Sequence, residues 1–417
     1  MLDFAALAAQ MEAALDAETW RPSLLLRALE AAQELCTACG RRGDFNALLS
    51  SAAQKESIPE SWHPARLLDD SSAPNAAYAA VAPPLPHVVV AADGSQIYPD
   101  SHEIADCYLL NISGIALRYG DTLTSTPLQD NALMQAVPQF FSAASEDDWH
   151  GGATRQNGTR DAGSVNREMV DARRHIAELD ELARLLESVS PNIDAIGLCD
   201  GIFDLRVAAT QSWRNHALAE NNRALDALRQ CGHPVGGYIA ASRATDVVIA
   251  LRVVLNELAD GDNPSDETDA ALSRLTDVRL FDALLQSGER CATFVSGRSF
   301  SGTRYMASTR DDSDAATSRH ATCFFYLKID EGNVARVEFP RWVAETPGWL
   351  DRLHLLLASQ IEKGGGYPVA LMEAHEQAVV RAVERDLFYQ LLEERMTARG
   401  WQPRRSAKNL SKSRPLV

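Results

Sequence analysis

The chain has 417 residues, 46% hydrophobic and 23% charged, an ordinary globular composition long enough for a large core and for two domains or one domain with appendages. Lys and Arg total 40 against 57 Asp and Glu, a formal net charge of -17. That balance argues against broad nucleic-acid binding, which relies on neutralising phosphates, unless basic groups gather in one cleft.

The first stretch, MLDFAALAAQMEAAL, carries Asp3 and Glu12 and no basic leader, so it does not read as a signal peptide. No apolar run approaches the roughly 18 residues that a membrane span needs. Seven scattered cysteines do not form a disulfide framework and fit a reduced, cytoplasmic setting. Residues 1–70 are expected to be a helical N-terminal extension, because DFAALAAQMEAALDA and SLLLRALEAAQELCTACG keep apolar residues at steps of three and four. Cys36 and Cys39 form a lone CxxC without a second pair to complete a zinc site, and are read as structural. Ser, Pro and Ala mark a linker over 71–86.

The region 87–395 opens on VVVAADGSQIYP, a strand over 87–92 that meets Asp93-Gly94 at its end. CYLLNISGIALRYG predicts a hairpin of two short strands about NISG, and the polar, glycine-rich residues 120–165 predict a long surface loop. A helix over 165–188 follows, with Met169, Ala172, Ile176, Leu179, Ala183 and Leu186 stepping along one face. IDAIGLCDG is a second buried strand, and it too ends in Asp-Gly, at Asp200. Next come a helix over 205–230, a strand in PVGGYIAAS, a helix in ATDVVIALRVVLNEL and acidic flexible segments at 259–270 and around 310–320. A strand pair in CFFYLKI and VARVEFP precedes one long helix in VALMEAHEQAVVRAVERDLFYQLLEERM. Residues 396–417 are a basic tail with Arg399, Arg404, Arg405, Lys408, Lys412 and Arg414, suited to an electrostatic arm or a solubilising end. No internal repeat is present, which removes solenoids and propellers.

Two strands thus stop at a carboxylate, where a rigid sheet holds the group at the edge of a cleft; Asp-Gly is equally a common turn. The order of strand, hairpin, acidic helix, strand and late helix with His375 is similar to the ribonuclease H-like nuclease fold. There, carboxylates from a first strand, a following helix and a fourth strand converge on divalent metals. Magnesium and manganese take oxygen ligands, and manganese accepts an imidazole. Two such ions about 4 Å apart supply the hydroxide and stabilise the leaving oxygen of a phosphodiester.

AADGSQ, RRHIAELDELARLL, LCDGIF and GGGYPVALMEAHEQAVV together resemble the NurA nuclease family, over about residues 87–392. The resemblance implies an α/β chain, a ribonuclease H-like core with mixed sheet and flanking helices. It also implies a metal-dependent deoxyribonuclease of 5′ to 3′ polarity using Mn2+ (or Mg2+), two ions in all. Such an enzyme acts as a homodimer with the hexameric ATPase HerA in DNA end processing, in repair or in phage defence. Asp93 and Asp200 match the strand ligands and His375 the late histidine. Glu178 fits the helix ligand best, four residues after Arg174 on the same face, although Glu168, Glu181 and Glu187 compete. His375 shares a face with Leu371, Met372, Ala378 and Val379, which turns its ring toward the core side; it is open to metal ligation or to orienting the attacking water or the phosphate. DNA contacts are expected from Ser95, Gln96, Arg174, Arg243, Arg298 and Arg304. The alternatives are a catalytically weak adaptor of the ATPase complex and another ribonuclease H-like enzyme acting on RNA.

Overall fold

A computed structural model describes residues 2–17, 22–81, 86–99, 107–120, 136–142, 165–205, 207, 213–259, 266–297 and 319–401. The elements in chain order are α1 (Phe4–Ala17), α2 (Pro22–Arg42), α3 (Phe45–Gln54), β1 (Arg66–Leu67), β2 (Ala77–Ala79), β3 (His87–Ile97), β4 (Cys107–Tyr119), β5 (Val137–Ser142), α4 (Arg167–Glu187) and β6 (Asp194–Asp200). They continue with α5 (Arg214–Gln230), β7 (Val235–Ile239), α6 (Asp246–Leu258), α7 (Asp266–Leu272), α8 (Asp277–Leu284), β8 (Glu289–Cys291), β9 (Phe294–Val295), β10 (Thr322–Asp330) and β11 (Asn333–Pro340). Four helices follow: α9 (Arg341–Glu345), α10 (Trp349–Lys363), α11 (Val369–Ala378) and α12 (Ala382–Ala398). The chain is α/β and divides into two compact units, one of Met1–Ala79, Ala241–Arg298 and Phe324–Arg336, the other of Ala80–Ala240, Ser299–Cys323 and Val337–Val417.

In the first unit the N-terminal helices bury their apolar faces against α6, α7 and α8. Ala28, Ala32, Cys36, Phe45 and Leu49 are buried on one side and Val247, Leu251, Leu280 and Phe281 on the other. The boundary expected at residue 70 therefore does not coincide with a compact unit: α2 and α3 find their apolar partners about 200 residues downstream. Ala77–Ala79, inside the expected linker, is a strand paired with β8. A buried polar network supports the unit. Asp277 accepts the N–H groups of Val247 and Val248, at 3.1 and 2.9 Å, and so caps the start of α6. The Tyr326 hydroxyl donates to the same carboxylate, and Arg336 pairs with Asp246 at 2.9 Å with its guanidinium 3.6 Å from the Phe324 ring centroid. Cys36 and Cys39 are buried free thiols, as a structural role requires, and all seven cysteines are free.

In the second unit β3 is the central strand, buried along nearly its whole length, which is what the run of valines and alanines suits. It pairs antiparallel with β4, and β4 with β5; on its other edge it runs parallel to β6, and β6 to β7. Three antiparallel strands followed by two parallel ones, in the order β5-β4-β3-β6-β7, form the mixed sheet of a ribonuclease H-like core. The helix expected over 165–188 is α4, started by the Asn166 side chain, which accepts the Met169 N–H. Its apolar face packs on β3, β4 and β6, and its flank on α5.

Three local expectations are corrected. The strand of Asp93 does not end in a turn: it runs on through Gly94 to Ile97 against β4, and only its parallel partner stops here, with Ala92 paired to Cys199 just before Asp200. CYLLNISGIALRYG is one strand of 13 residues, not a hairpin. Its glycine serves packing: a β-carbon on Gly114 would strike Leu185 and come within 2.8 Å of Glu181 Oε1, both on α4. The expected long C-terminal helix is two, α11 and α12. At the break the Ala378 carbonyl accepts hydrogen bonds from Ser95 Oγ and from Asn111 Nδ2, and the Val380 N–H donates to Ser95 Oγ. Side chains from two strands thus replace the helical bonds there. Within the expected loop 120–165, residues 137–142 form β5, and 121–135 and 143–164 lie outside the described residues.

Candidate active site

Asp93 is 6% exposed at the point where β3 loses its parallel neighbour. Its Oδ1 accepts the Gly94 N–H at 2.7 Å, and its Oδ2 lies 2.7 Å from His375 Nδ1 on α11. The face expectation for His375 is corrected here, since the side chain is 62% exposed and turned to Asp93, although its helical neighbours Leu371 and Ala378, with Ala370 and Ala374, are buried.

Alternate residues of a strand point to opposite faces. Asp93 and Ser95 face α11, through His375 and the helix break, whereas Gly94 meets α4. A β-carbon on Gly94 would stand 2.8 Å from Glu178 Oε1 and 3.0 Å from Arg174 Cγ, so the glycine leaves the space that Glu178 uses. Of the four competing glutamates, Glu178 alone is buried, at 3% exposure. Glu181 pairs with Arg184, and Glu187 is exposed. Arg174 bonds Glu178 Oε1 at 2.5 Å and the Gly94 carbonyl at 3.2 Å.

Charge crowding marks the place. Burial pushes the Glu178 carboxyl up to about 8; Arg174 opposes this, and the negative charges of Asp93 and Asp200 add to it. Asp200 is exposed as a residue, but its carboxyl is also raised, first by partial desolvation among its neighbours, against the hydrogen bond of Tyr367 and with the Asp93 charge. The Tyr367 hydroxyl donates to Asp200 Oδ1 at 2.9 Å. Tyr367 is not among the site residues expected from the sequence, although it stands in the GGGYP motif; a tyrosine fixed between glycines and a proline is the signal that marks it.

Three carboxylates and an imidazole, from β3, α4, β6 and α11, therefore share one electrostatic neighbourhood. Among the described residues no group of three or more His, Cys, Asp or Glu side chains converges to hold a metal ion as the side chains stand. Glu178 is turned to Arg174, and Asp93 to His375 and its own backbone. The donors nevertheless suit a hard divalent cation, and the crowded negative charge is what such a cation relieves.

A family model described as the NurA domain matches residues 87–380. The chain belongs to the NurA family. NurA proteins are nucleases, generally dependent on a divalent metal and generally associated with DNA and with HerA. No curated protein matches the chain. No helix among the described residues is long and apolar enough to cross a membrane.

The other NurA-derived expectations fall in different surroundings. Ser95 is engaged by the helix break. Gln96 donates to the Tyr98 hydroxyl, which donates to Asp171 on α4. Arg243 is exposed and belongs to the first unit. Arg298 and Arg304 lie outside the described residues.

Proposed function

We propose that this chain hydrolyses DNA phosphodiester bonds with Asp93, Glu178, Asp200 and His375 as its divalent-metal site, Mn2+ or Mg2+ as the ion and two ions as the complement. The observation that carries the reading is Asp93 in the central strand, with His375 at 2.7 Å and with the buried Glu178 carboxyl raised first by burial and further by the charges of Asp93 and Asp200. A bound metal pair would supply a hydroxide nucleophile and stabilise the leaving oxygen. The chain's own part is to hold ligands on rigid elements: Asp93 and Asp200 on adjacent strands, Glu178 in the cradle of Gly94. Arg174 opposes the rise of the Glu178 carboxyl and is a counter-charge for a DNA phosphate once a cation takes Glu178 over. His375, solvent-facing beside Asp93, is placed to ligate or to hold a water at the scissile phosphate.

Ser95, Gln96, Arg243, Arg298 and Arg304 remain the proposed DNA contacts. The finer reading keeps 5′ to 3′ end processing by a homodimer with a HerA-type hexameric ATPase, in DNA repair or phage defence, in the cytoplasm.

The test incubates the full chain with linear and circular, single- and double-stranded DNA in Mn2+, Mg2+ or EDTA, with and without the ATPase. Metal-dependent cleavage by the wild type, abolished by Asp93→Ala with the far-UV spectrum unchanged, is the expected result. An Asp93→Ala protein that cuts at the wild-type rate refutes the site.

A further inference from the structure

Two elements running in opposite directions build the surface that leads away from the proposed metal site. Past Ala92, β3 has lost its parallel neighbour, and no strand pairs with that edge among the described residues. Gly94 and Gln96, and Tyr98 just past the strand, stand on the side of α4. On α4, Arg167, Asp171, Arg174 and Glu178 follow at helical steps that keep them on one face. Arg174 donates to the Gly94 carbonyl at 3.2 Å. The Asp171 carboxylate accepts the Tyr98 hydroxyl at 2.5 Å, and Gln96 Nε2 donates to the same hydroxyl at 2.8 Å. Arg167 closes the row, its guanidinium 4.9 Å from the Tyr98 ring centroid.

An arginine and an aspartate four residues apart on a helix ordinarily pair with each other. Here Asp171 is taken by the Tyr98 hydroxyl, and no acidic side chain pairs with Arg167 among the described residues. Tyr98 thus holds the carboxylate with its hydroxyl and seats the guanidinium on its ring, while Arg167 stays exposed. The ring is itself held, packed on the cluster that contains Tyr108, Met169 and Val170. In a chain of net charge -17, a cation kept from the nearest carboxylate is matched by an anion from outside. Seven residues of helix set Arg167 about 10.5 Å along the axis from Arg174. That is about three times the 3.4 Å rise per phosphate of one strand of duplex DNA, so the two guanidiniums fit phosphates of the same strand.

We infer that Arg167, seated on Tyr98, is a phosphate subsite for the DNA strand, a few nucleotides from the phosphate at the metal site, and that Tyr98 keeps it available by occupying Asp171. The inference rests on the proposed cleavage of DNA and adds to it a contact that only a strand long enough to reach Arg167 can make.

The experiment measures binding of a labelled single-stranded oligonucleotide by fluorescence anisotropy, in EDTA over a series of salt concentrations, for the full chain and its variants. Mn2+-dependent cleavage of the oligonucleotide and of bis(p-nitrophenyl) phosphate, too short to span the two arginines, is followed alongside. Arg167→Gln is expected to weaken oligonucleotide binding several-fold and to lower the slope of log affinity against log salt by about 0.7, the loss of one phosphate contact on a single strand. Its cleavage deficit should lie in KM for the oligonucleotide and be larger there than for the short diester. Tyr98→Phe keeps the ring and releases Asp171 toward Arg167, so binding should fall in the same way, and adding Asp171→Asn should recover it. Arg223→Gln, an equal loss of charge on the surface of α5, should keep the wild-type slope. An unchanged slope in Arg167→Gln, or equal deficits on the long and short substrates, overturns the inference while leaving the metal site standing. So does a double variant that binds as weakly as Tyr98→Phe, because the tyrosine then acts only through the fold. A wild type that neither binds nor cleaves DNA removes the nuclease reading itself, and the inference with it.

Discussion

Glu178→Gln isolates the cost of charge crowding in the metal-free protein. The Glu178 carboxyl titrates near 4.5 when the chain is unfolded and near 8 in the fold, the rise being due first to burial and then to Asp93 and Asp200 against Arg174. Because the folded value is the higher one, the folded state binds the extra proton between these limits, and stability falls as pH rises from 4.5 to 8. The slope is about 1.4 kcal/mol per pH unit, so the whole window amounts to at most about 5 kcal/mol. Glutamine keeps the shape and removes the titration. Urea unfolding followed by far-UV circular dichroism at pH 5, 6, 7 and 8, in EDTA, should show wild type losing a few kcal/mol across the series while Glu178→Gln stays nearly level. The variant should overtake the wild type toward pH 8 and should bind Mn2+ more weakly. Parallel pH profiles for the two proteins would refute the argument that Glu178 is buried among like charges.

Two further substitutions test how each unit is held. Ser95→Ala removes the hydroxyl that joins β3 to the break between α11 and α12 and leaves the Val380 N–H without its acceptor. It should cost about 1–3 kcal/mol in urea unfolding; unchanged stability with weaker DNA binding would assign Ser95 to the phosphate instead. Arg336→Met deprives Asp246 of its buried ion-pair partner and should destabilise the first unit by about 3–5 kcal/mol, read from the unfolding midpoint. Adding Asp246→Asn should recover part of the loss, and strictly additive effects would deny the coupling.

Much of this molecule is local physics written in order along the chain. The apolar steps of α4 and the valine run of β3 are visible because a helix face and a buried strand each impose a period on residues close in sequence. Asp93, Asp200 and His375 were likewise legible, as polar residues at the ends of such runs or in a motif of rare composition. What local pattern misread was every position whose reason lies across the fold. NISG reads as a turn, yet Gly114 is small because α4 crosses above it. Gly94 reads as the end of a strand, yet it clears the way for Glu178. The helix after His375 reads as continuous, yet Ser95 and Asn111, more than 260 residues earlier, take its carbonyl and N–H groups. Glu178 is favoured in the sequence by its place four residues after Arg174, but that it is the buried one among Glu168, Glu178, Glu181 and Glu187 is set by what the helix packs against. Sequence alone determined which residue types stand at the ends of which elements; the tertiary structure decided which of them meet, because burial and charge crowding are properties of neighbours in space that no period along the chain encodes.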